Sequence, residues 1–368
     1  MNYWDYIKVE QLLSLQGGTG DRPPASLSND EVLFITVHQI YELWFKLVLR
    51  ELDAARAQLR RNPVPDEKLA SVVRSLRRCV TIFEAATNHF PVMETMTTRD
   101  YLAFRDHLIG ASGFQSAQMR EMEIVLGLQD ESRLSAMGDE SYKEALKGDA
   151  GNASPALRRV EARQAQSRPT ETGTLRDALY AWLARTPVDG SNDEAHVARY
   201  LSAFIGAHEQ GLERRLAAAR AEVARTEEDV AILERRYRRD VANARAFLQA
   251  DDKSEAERPF YRQVRAALVF IESHRELPRL SWPREVVDAV LTLEQAMVIW
   301  RQRHARMVER MIGRRVGTGG SGGVAYLDQT ALRYRVFDDL WAVRTILLQQ
   351  SVLPDLDHID DYRLRIQD

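Results

Sequence analysis

The stretch that decides the fold is DEVLFITVHQIYELWFK, residues 30–46. Read at 3.6 residues per turn, it places apolar side chains and one histidine on a single helix face. That face comprises Phe34, Val37, His38, Tyr41, Phe45 and, just beyond the stretch, Val48. Asp30 is the expected N-cap, ahead of Glu31. His38 therefore points toward the core, where an imidazole needs a partner because burying a polar group costs free energy.

The same helical periodicity extends along nearly the whole chain of 368 residues, and alternating strand patterns are scarce. We therefore predict an all-α fold. Helices are expected at residues 5–16, 30–61, 67–88, 98–108, 112–128, 174–185, 194–248, 258–274, 283–312 and 328–350. The polar segment 130–172 and the glycine-rich segment 313–324 are expected to be loops between helices.

Part of the long helix predicted at 194–248 carries a narrower apolar stripe, with the 3.5-residue period of a coiled coil. The stripe comprises Leu212, Leu216, Ala219, Val223, Thr226, Val230, Leu233 and Tyr237. One interpretation is a helix that packs on a neighbour in the same chain, and the other is an arm used in oligomer contacts. We favour the first slightly, because an antiparallel hairpin needs no partner chain.

Composition excludes several classes of protein. The balance of 51 basic against 54 acidic residues gives no reason to expect a nucleic-acid partner. The single cysteine, Cys79, excludes an internal disulfide framework and suits a reducing cytosol. The N-terminus has no long apolar signal segment, and no apolar run approaches the roughly 20 residues that span a bilayer. We therefore expect a cytoplasmic protein without a membrane partner.

A second histidine, His304 in WRQRHARMVERMIG, also lies on the apolar stripe of its helix. Taken alone, such a histidine is more often a hydrogen-bonded core residue than a ligand. Neither His38 nor His304 belongs to an HExxH or HxxE pattern, so a non-haem iron or zinc site lacks its other ligands. A haem needs only one axial imidazole and an apolar wall, so the spacing is compatible with haem and equally with core packing.

Two further groups offer polar chemistry. Tyr101 and Arg105 are four residues apart, so their side chains emerge side by side, and a guanidinium beside a phenol suits a carboxylate. On the pattern alone, a surface ion pair of Arg105 is the simpler interpretation. GTGGSGG, residues 317–323, lacks the phosphate-loop pattern but lets the backbone approach a ligand closely, with the Thr318 hydroxyl at its start. A flexible connector explains these glycines equally well.

Several long blocks together resemble the tryptophan 2,3-dioxygenase family. They are YWDYIKVEQLLSLQ, DEVLFITVHQIYELWFKLVLRELD, METMTTRDYLAFRD, SGFQSAQMREMEIVLG, WRQRHARMVERMIGRRVGTGGSGGVAYL and FDDLWAVRTIL. They occur in the family's order and cover roughly residues 1–128 and 258–350. The resemblance implies one all-α, haem-binding helical bundle over residues 1–368. Its catalytic core would be those two ranges, and residues 129–257 would form a loop plus a coiled-coil-like helical insert.

The resemblance implies a haem b enzyme that opens the indole ring of L-tryptophan with O2 to give N-formylkynurenine. It also implies a homotetramer in which each N-terminus completes a neighbour's site. By position, His304 would be the axial ligand of the haem iron, and His38 would accept the indole N–H. The remaining roles would be Phe34 against the indole, Tyr101 and Arg105 at the substrate carboxylate, Thr318 at its ammonium group, Ser112, Phe90 and Gly319 around the haem, and Tyr3 and Tyr6 from the adjacent subunit.

The chain departs from the family pattern at a few positions. Phe90 stands where the family usually has tryptophan, Pro91 lies beside it, Thr98 replaces a proline and Gly322 replaces a serine. These departures leave open a relative that oxygenates a modified, for example methylated, tryptophan and inserts a single oxygen to give an oxindole. Two further alternatives are a haem sensor or electron carrier with both histidines on the iron, and a cofactor-free helical scaffold.

Overall fold

A computed structural model describes residues 1–18, 23–108, 115–128, 143, 146–147, 154–222, 226–315 and 323–364 of the protein. In this part of the chain the regular structure is helical, which confirms the all-α prediction. The α-helices are α1 Tyr3–Tyr6, α2 Val9–Leu13, α3 Asn29–Leu59, α4 Asp66–Asn88, α5 Phe90–Met93, α6 Thr98–Arg105, α7 Ala117–Leu126, α8 Pro155–Gln166, α9 Leu175–Leu183, α10 Glu194–Ala221, α11 Glu227–Leu248, α12 Arg258–Ser273, α13 Ser281–Ile312, α14 Gly323–Arg333 and α15 Asp338–Ile346.

The chain forms two compact units. The first, which we call the cavity unit, comprises Met1–Ala54, Arg74–Leu175 and Thr292–Val336. The second, the hairpin unit, comprises Ala55–Val73, Arg176–Leu291 and Phe337–Asp368. The division into a catalytic core at 1–128 and 258–350 and an insert at 129–257 stays a prediction.

Several predicted helix boundaries were wrong, each for a local reason. The expected helix 5–16 is divided into α1 and α2 because Lys8 adopts a left-handed conformation, with φ 57° and ψ 44°. Helix α3 is capped by Ser28 rather than Asp30: the Ser28 hydroxyl accepts the N–H of Glu31 at 3.1 Å. The expected helix 328–350 is two helices, α14 and α15. These breaks depend on single backbone conformations, which apolar periodicity does not encode.

The polar segment 130–172 is not wholly a loop. Its later part forms α8, which begins with Ser154 as N-cap: the serine hydroxyl accepts the N–H of Leu157 at 3.0 Å. Pro155 follows at the first helical position, where its missing N–H costs nothing. Leu157 and Val160 are buried in a small cluster with Ile124 of α7. The helix is therefore stabilised by packing on α7.

The predicted long helix 194–248 is a hairpin of two helices, α10 and α11. Glu222 is extended, with ψ 110°, and ends α10, while Thr226 caps α11. The two helices pack together, and Arg220 of α10 pairs with Glu234 of α11 at 3.3 Å. The guanidinium of Arg215 lies 5.6 Å from the ring centroid of Tyr237. The intrachain interpretation of the coiled-coil stripe is confirmed for the part of it that the structure describes, which excludes Val223.

The cap of α11 gives a measurable prediction. The Thr226 hydroxyl accepts the N–H of Asp229 at 3.1 Å, and the Asp229 carboxylate accepts the N–H of Thr226 at 3.0 Å. We expect Thr226→Ala to lower the free energy of unfolding by about 1 kcal/mol, because it removes the hydroxyl that accepts the N–H of Asp229 while the backbone N–H of residue 226 keeps its bond to the Asp229 carboxylate. Urea unfolding followed by circular dichroism measures this. Thr81→Ala, at an exposed position inside α4, is the control and should change stability by less than about 0.5 kcal/mol.

In the hairpin unit, α12 is buried along most of its length, and one of its buried residues is the charged Arg265. Arg265 is 2% exposed. Its guanidinium donates to Asp339 at 2.7 Å and to both oxygens of Asp252, at 2.6 and 2.9 Å. Tyr180 donates its hydroxyl to Asp339 at 3.0 Å. This buried ion-pair network belongs to the packing of the unit, since every partner is a residue of the same unit.

Among the described residues, one helix, Asn29–Leu59, is long and apolar enough to cross a membrane by length and composition. The core helix of a folded domain meets the same test. Val37, Val48 and Leu52 of α3 are buried in the protein. We therefore interpret α3 as a core helix, and several of its other apolar side chains line the cavity described next.

Candidate active site

A large cavity lies inside the cavity unit, with a volume of about 890 Å³. This is near the upper end of the roughly 300–1,000 Å³ typical of ligand pockets. Its walls come from α2, α3, the segment from α5 to α8, α13 and α14. Most of the lining is apolar and includes Leu12, Leu43, Met93, Met119, Met307 and Met311. The volume and the apolar walls suit a large, flat, mainly apolar ligand.

His38 lines this cavity from α3. Its Nδ1 lies 2.7 Å from the carbonyl oxygen of Phe34, one turn earlier. Because a carbonyl only accepts, Nδ1 carries the proton and Nε2 is left as an acceptor. By surface area the His38 side chain is exposed where it lines the cavity, yet enough protein surrounds it that desolvation lowers the pKa of His38, against smaller raising effects of the Phe34 carbonyl and the Glu42 charge. At neutral pH, His38 is a neutral imidazole with an open acceptor.

His304 lines the same cavity from α13. Burial, with smaller effects of the charges on His38 and Arg301, lowers its pKa to about 4. The imidazole is therefore neutral at physiological pH, the form that binds a metal. Its ring stacks on Trp300, with centroids 5.3 Å apart, and on Phe90, with centroids 5.9 Å apart. The two histidines predicted from the sequence are thus brought to one cavity.

An aromatic cluster lies beside His38 and contacts its ring through Phe34. The Phe34 ring lies 4.0 Å from the His38 ring and 6.0 Å from that of Tyr101, measured between centroids. Phe104 packs edge-on against both Phe34 and Tyr101. Tyr101 lines the cavity, whereas Arg105 is not part of its wall in the described chain but hydrogen-bonds to Tyr101. Burial raises the pKa of the Tyr101 hydroxyl, and Arg105 lowers it in part.

A buried charge cluster forms another part of the cavity wall, and sequence reasoning missed it. Arg120 of α7 and Arg301 of α13 both line the cavity and both pair with Glu123, at 2.8 and 2.7 Å. The three side chains are only 8%, 9% and 1% exposed, in the order Arg120, Arg301 and Glu123. Arg301 also lies over the Tyr334 ring, 4.9 Å from its centroid. The sequence feature that could have indicated this cluster is the spacing of Arg120 and Glu123, which are three residues apart on one helix.

A second polar contact joins α7 to α3 beside His38. The Gln118 side-chain amide donates to the Glu42 carboxylate and to the Glu42 backbone carbonyl, both at 2.7 Å. Glu42 is one turn after His38 and also lines the cavity. The contact therefore fixes the start of α7 against the helix that carries His38.

Some predicted site residues are not at this cavity or are not described. Tyr3 and Tyr6 are 74% and 73% exposed and do not line the cavity of their own chain. Ser112, Thr318 and Gly319 lie outside the described residues. Gly323, at the end of the glycine segment, lines the cavity with φ 60°, and a Cβ there would lie 2.8 Å from the carbonyl oxygen of Arg315. A glycine is therefore required at that position.

The residues present fit a haem. His304 is a neutral nitrogen donor with aromatic rings on one side and cavity on the other. The described residues contain no group of three or more His, Cys, Asp or Glu side chains that suits a metal ion. A haem needs only one imidazole from the protein, because the porphyrin itself supplies the other nitrogen ligands of the iron. A single histidine in an apolar, aromatic wall therefore suits it. Arg120 and Arg301 add positive charge where such a ligand's carboxylates could lie.

The fold and the site define an all-α protein with an interior cavity for a large ligand and two neutral histidines in its wall. The sequence profile described as Trp_dioxygenase: Tryptophan 2,3-dioxygenase matches residues 1–347. The chain is 59% identical to the tryptophan 2,3-dioxygenase of Sorangium cellulosum strain So ce56, over 100% of this chain and 88% of that protein. It is 55% identical to tryptophan 2,3-dioxygenase 2 of Ralstonia nicotianae, over 97% and 95% of the two chains.

A tryptophan 2,3-dioxygenase-like protein of Xanthomonas campestris pv. campestris strain 8004 is 51% identical, over 71% of this chain and 95% of its own. The chain belongs to the tryptophan 2,3-dioxygenase family. It is an oxidoreductase of that family, and the resemblance found from the sequence blocks is confirmed.

Proposed function

We propose that this protein is a haem-dependent dioxygenase that cleaves the C2–C3 bond of the indole ring of L-tryptophan with O2, giving N-formylkynurenine. The observation that carries the proposal is the pair His38 and His304 in the wall of one cavity, both neutral at physiological pH. The names of the relatives, tryptophan 2,3-dioxygenases at 55% and 59% identity, support the substrate.

Each histidine would have a separate role. His304 would hold the haem through one ring nitrogen, and the bound haem would supply the activation of O2. His38 would accept the indole N–H at Nε2, because its Nδ1 proton is already donated to the Phe34 carbonyl. Phe34, which Phe104 supports edge-on, would pack against the indole, while the apolar walls exclude water. The chain's own contribution is thus orientation of the ring and a proton acceptor at a fixed place.

The amino-acid end of the substrate would lie at Tyr101. The Tyr101 hydroxyl lies in the cavity wall with Arg105 hydrogen-bonded to it, an arrangement that suits a carboxylate. Thr318 would bind the ammonium group, and Ser112 and Gly319 would lie near the haem, as the family resemblance implies.

We propose a homotetramer whose N-terminal segments complete neighbouring sites. The N-terminal segment presents large apolar side chains to solvent, among them Tyr3, Trp4, Tyr6 and Leu13. Exposed aromatic residues in one short segment are typical of a surface that another subunit covers.

We also propose a cytoplasmic location, which the free, buried thiol of Cys79 supports.

The experiment that tests the reaction is product mass under labelled dioxygen. Reduced, haem-loaded protein is mixed with L-tryptophan and ¹⁸O2, and the expected product is N-formylkynurenine with two labelled oxygen atoms. His38→Ala under the same conditions is the comparison for the role of the acceptor. A complete absence of indole oxidation by the wild-type protein would contradict the proposal.

A second candidate is the insertion of one oxygen atom into a modified tryptophan to give an oxindole. Phe90 favours it, because this departure from the family pattern is fully buried at the cavity and contacts His304. The same labelled experiment, run with tryptophan and with methylated tryptophans, separates the two reactions: an oxindole carries one labelled atom.

The environment of His38 predicts the pH dependence of the reaction. Burial lowers the pKa of His38 from its ordinary value of 6.5, so the acceptor form persists below neutral pH. We expect kcat/KM for the indole substrate to be flat from about pH 7 to 8 and to fall only on the acid side, with a midpoint below 6.5, as Nε2 becomes protonated. A pH series of initial rates measures it. An acid limb centred above pH 7 would contradict this assignment.

A further inference from the structure

The rings around His304 have a specific arrangement. The centroid of His304 lies 5.3 Å from that of Trp300 and 5.9 Å from that of Phe90, and the latter two lie 5.9 Å apart. The three centroids therefore form a nearly equilateral triangle. Two rings on opposite faces of the imidazole would lie about twice as far apart, so Phe90 and Trp300 lie on one side of it. We call these two residues the aromatic wall.

The planes of the rings show that the contact is stacking. The imidazole is inclined by only 14° to the Trp300 ring and by 26° to the Phe90 ring. In contrast, the other rings that touch Trp300 meet it edge-on: Tyr41 at 75°, Phe45 at 83° and Phe83 at 68°. Rotation of the imidazole about its Cβ bond would lose both stacked contacts at once. The aromatic wall therefore favours one orientation of the ring.

The aromatic wall is itself held in place. Trp300 is 7% exposed and is enclosed by the three edge-on rings. Phe90 is fully buried, and the guanidinium of Arg303 lies 5.8 Å from its ring centroid. Arg303 is fixed by a two-point ion pair with Glu94, at 2.5 and 2.7 Å. A metal-binding side chain needs rigid support of this kind if it is to hold one orientation.

Metal-binding histidines are commonly oriented by a hydrogen bond from the second ring nitrogen to a carboxylate or carbonyl, which also makes the imidazole a stronger donor. The charges that act on His304 come from His38 and Arg301, and neither is a carboxylate. Within the described chain, the aromatic rings that contact the His304 ring are those of the aromatic wall.

We propose that Phe90 and Trp300 are positioning residues for His304, orienting it by ring stacking and leaving it a neutral, comparatively weak donor to the haem iron. The inference rests on the proposed function, because it concerns the same histidine. It assigns to Phe90 a role in the state of the iron rather than in recognition of the substrate. Loss of the Phe90 ring should broaden the range of imidazole orientations and weaken the hold on haem.

The test compares Phe90→Leu with Phe83→Leu in the haem-loaded protein. Phe83 is the matched control, since it is 1% exposed and touches Trp300 but not His304. Two quantities are measured: the rate of haem transfer to apomyoglobin, and the iron–histidine stretching band of the ferrous protein by resonance Raman spectroscopy. Phe90→Leu should release haem about two- to tenfold faster, the range that one aromatic pair contributes, and should broaden the band.

Phe90→Gln tests whether the frequency of the iron–histidine band shifts in the expected direction. An amide oxygen at this position offers an acceptor to the imidazole N–H, which should move the iron–histidine band to higher frequency because the donor becomes stronger. If Phe90→Leu is insoluble, Phe90→Met against Phe83→Met gives the same comparison with a flexible side chain that fills irregular gaps better.

The outcomes separate the inference from the proposed function. Faster haem release and a broadened band in the Phe90 variant alone support the role of the aromatic wall. Equal release rates and unchanged bands in the Phe90 and Phe83 variants overturn it while leaving the haem site intact. Wild-type protein that takes up no haem overturns the proposed function itself, and the inference with it.

Discussion

Replacing His304 with alanine should leave a folded protein that no longer retains haem. The imidazole lies in the cavity wall and is neutral, with its pKa lowered to about 4, so it is ready to bind a metal without losing a proton. Loss of an outer-shell partner of a metal ligand already costs roughly 10- to 100-fold in affinity, and loss of the axial ligand should cost about 100-fold or more. Haem titration followed by the Soret band measures the affinity.

Two further variants make this result specific. His208→Ala removes a partly buried histidine of the hairpin unit, whose Nε2 donates to the Ile346 carbonyl at 2.6 Å, and it should leave the haem affinity unchanged. His38→Ala should also retain haem, because His38 is proposed to bind substrate rather than iron. Added imidazole should restore the Soret band of His304→Ala by entering the space left by the side chain. Native occupancy and spectrum in His304→Ala would contradict the assignment.

His38→Ala also tests the alternative that the protein is a haem sensor or electron carrier in which both histidines bind the iron. If both histidines held the iron, the ferric wild-type protein would be six-coordinate and low-spin without substrate, and His38→Ala would lose that spectrum. The structure gives His38 one open nitrogen, Nε2, which would serve an indole N–H or an iron equally well by chemistry alone. Spectroscopy is therefore the deciding measurement.

The sequence alone predicted the all-α fold and the helix faces that carry the two histidines. His38 and His304 each lie on an apolar stripe, and a stripe fixes the direction in which its residues point. Periodicity does not show that two stripes meet at one cavity, because that depends on how α3 and α13 pack. The tautomer of His38 likewise depends on one carbonyl, that of Phe34, and becomes visible only from the three-dimensional structure.

Breaks within helical patterns were harder to predict than the helices. The apolar stripe of 212–237 continues in the sequence from α10 into α11, so nothing in its period marks the end of α10 at Glu222. The capping box of Thr226 and Asp229 was the local signal for a new helix. The roles of Thr318 at the substrate's ammonium group and of Ser112 and Gly319 near the haem came only from the family resemblance, because single residues outside an apolar stripe have no periodic signature.

Removing the carboxylate from the buried cluster of Arg120, Glu123 and Arg301 should destabilise the protein strongly, an effect that the sequence pattern did not indicate. Two guanidiniums share one carboxylate, and the Glu123 side chain is 1% exposed. Burial is the largest single effect on the pKa of Arg120 and lowers it, but the charge and hydrogen bond of Glu123, together with Tyr326 and Tyr334, outweigh burial, so the net shift is upward. The carboxylate is therefore the group that makes the buried charge on Arg120 tolerable.

We expect Glu123→Ala to lower the free energy of unfolding by about 3–5 kcal/mol, because it removes a carboxylate from two buried cations, and breaking a buried pair costs far more than an intact pair contributes. Urea unfolding of the haem-free protein measures this without a contribution from the ligand. Glu309→Ala is the matched control: it lies on α13, is 47% exposed and pairs with Arg306 at 2.8 Å, so its loss should cost less than about 1 kcal/mol. Equal effects of the two substitutions would show that the Glu123 cluster behaves as a solvated surface pair, contrary to its burial.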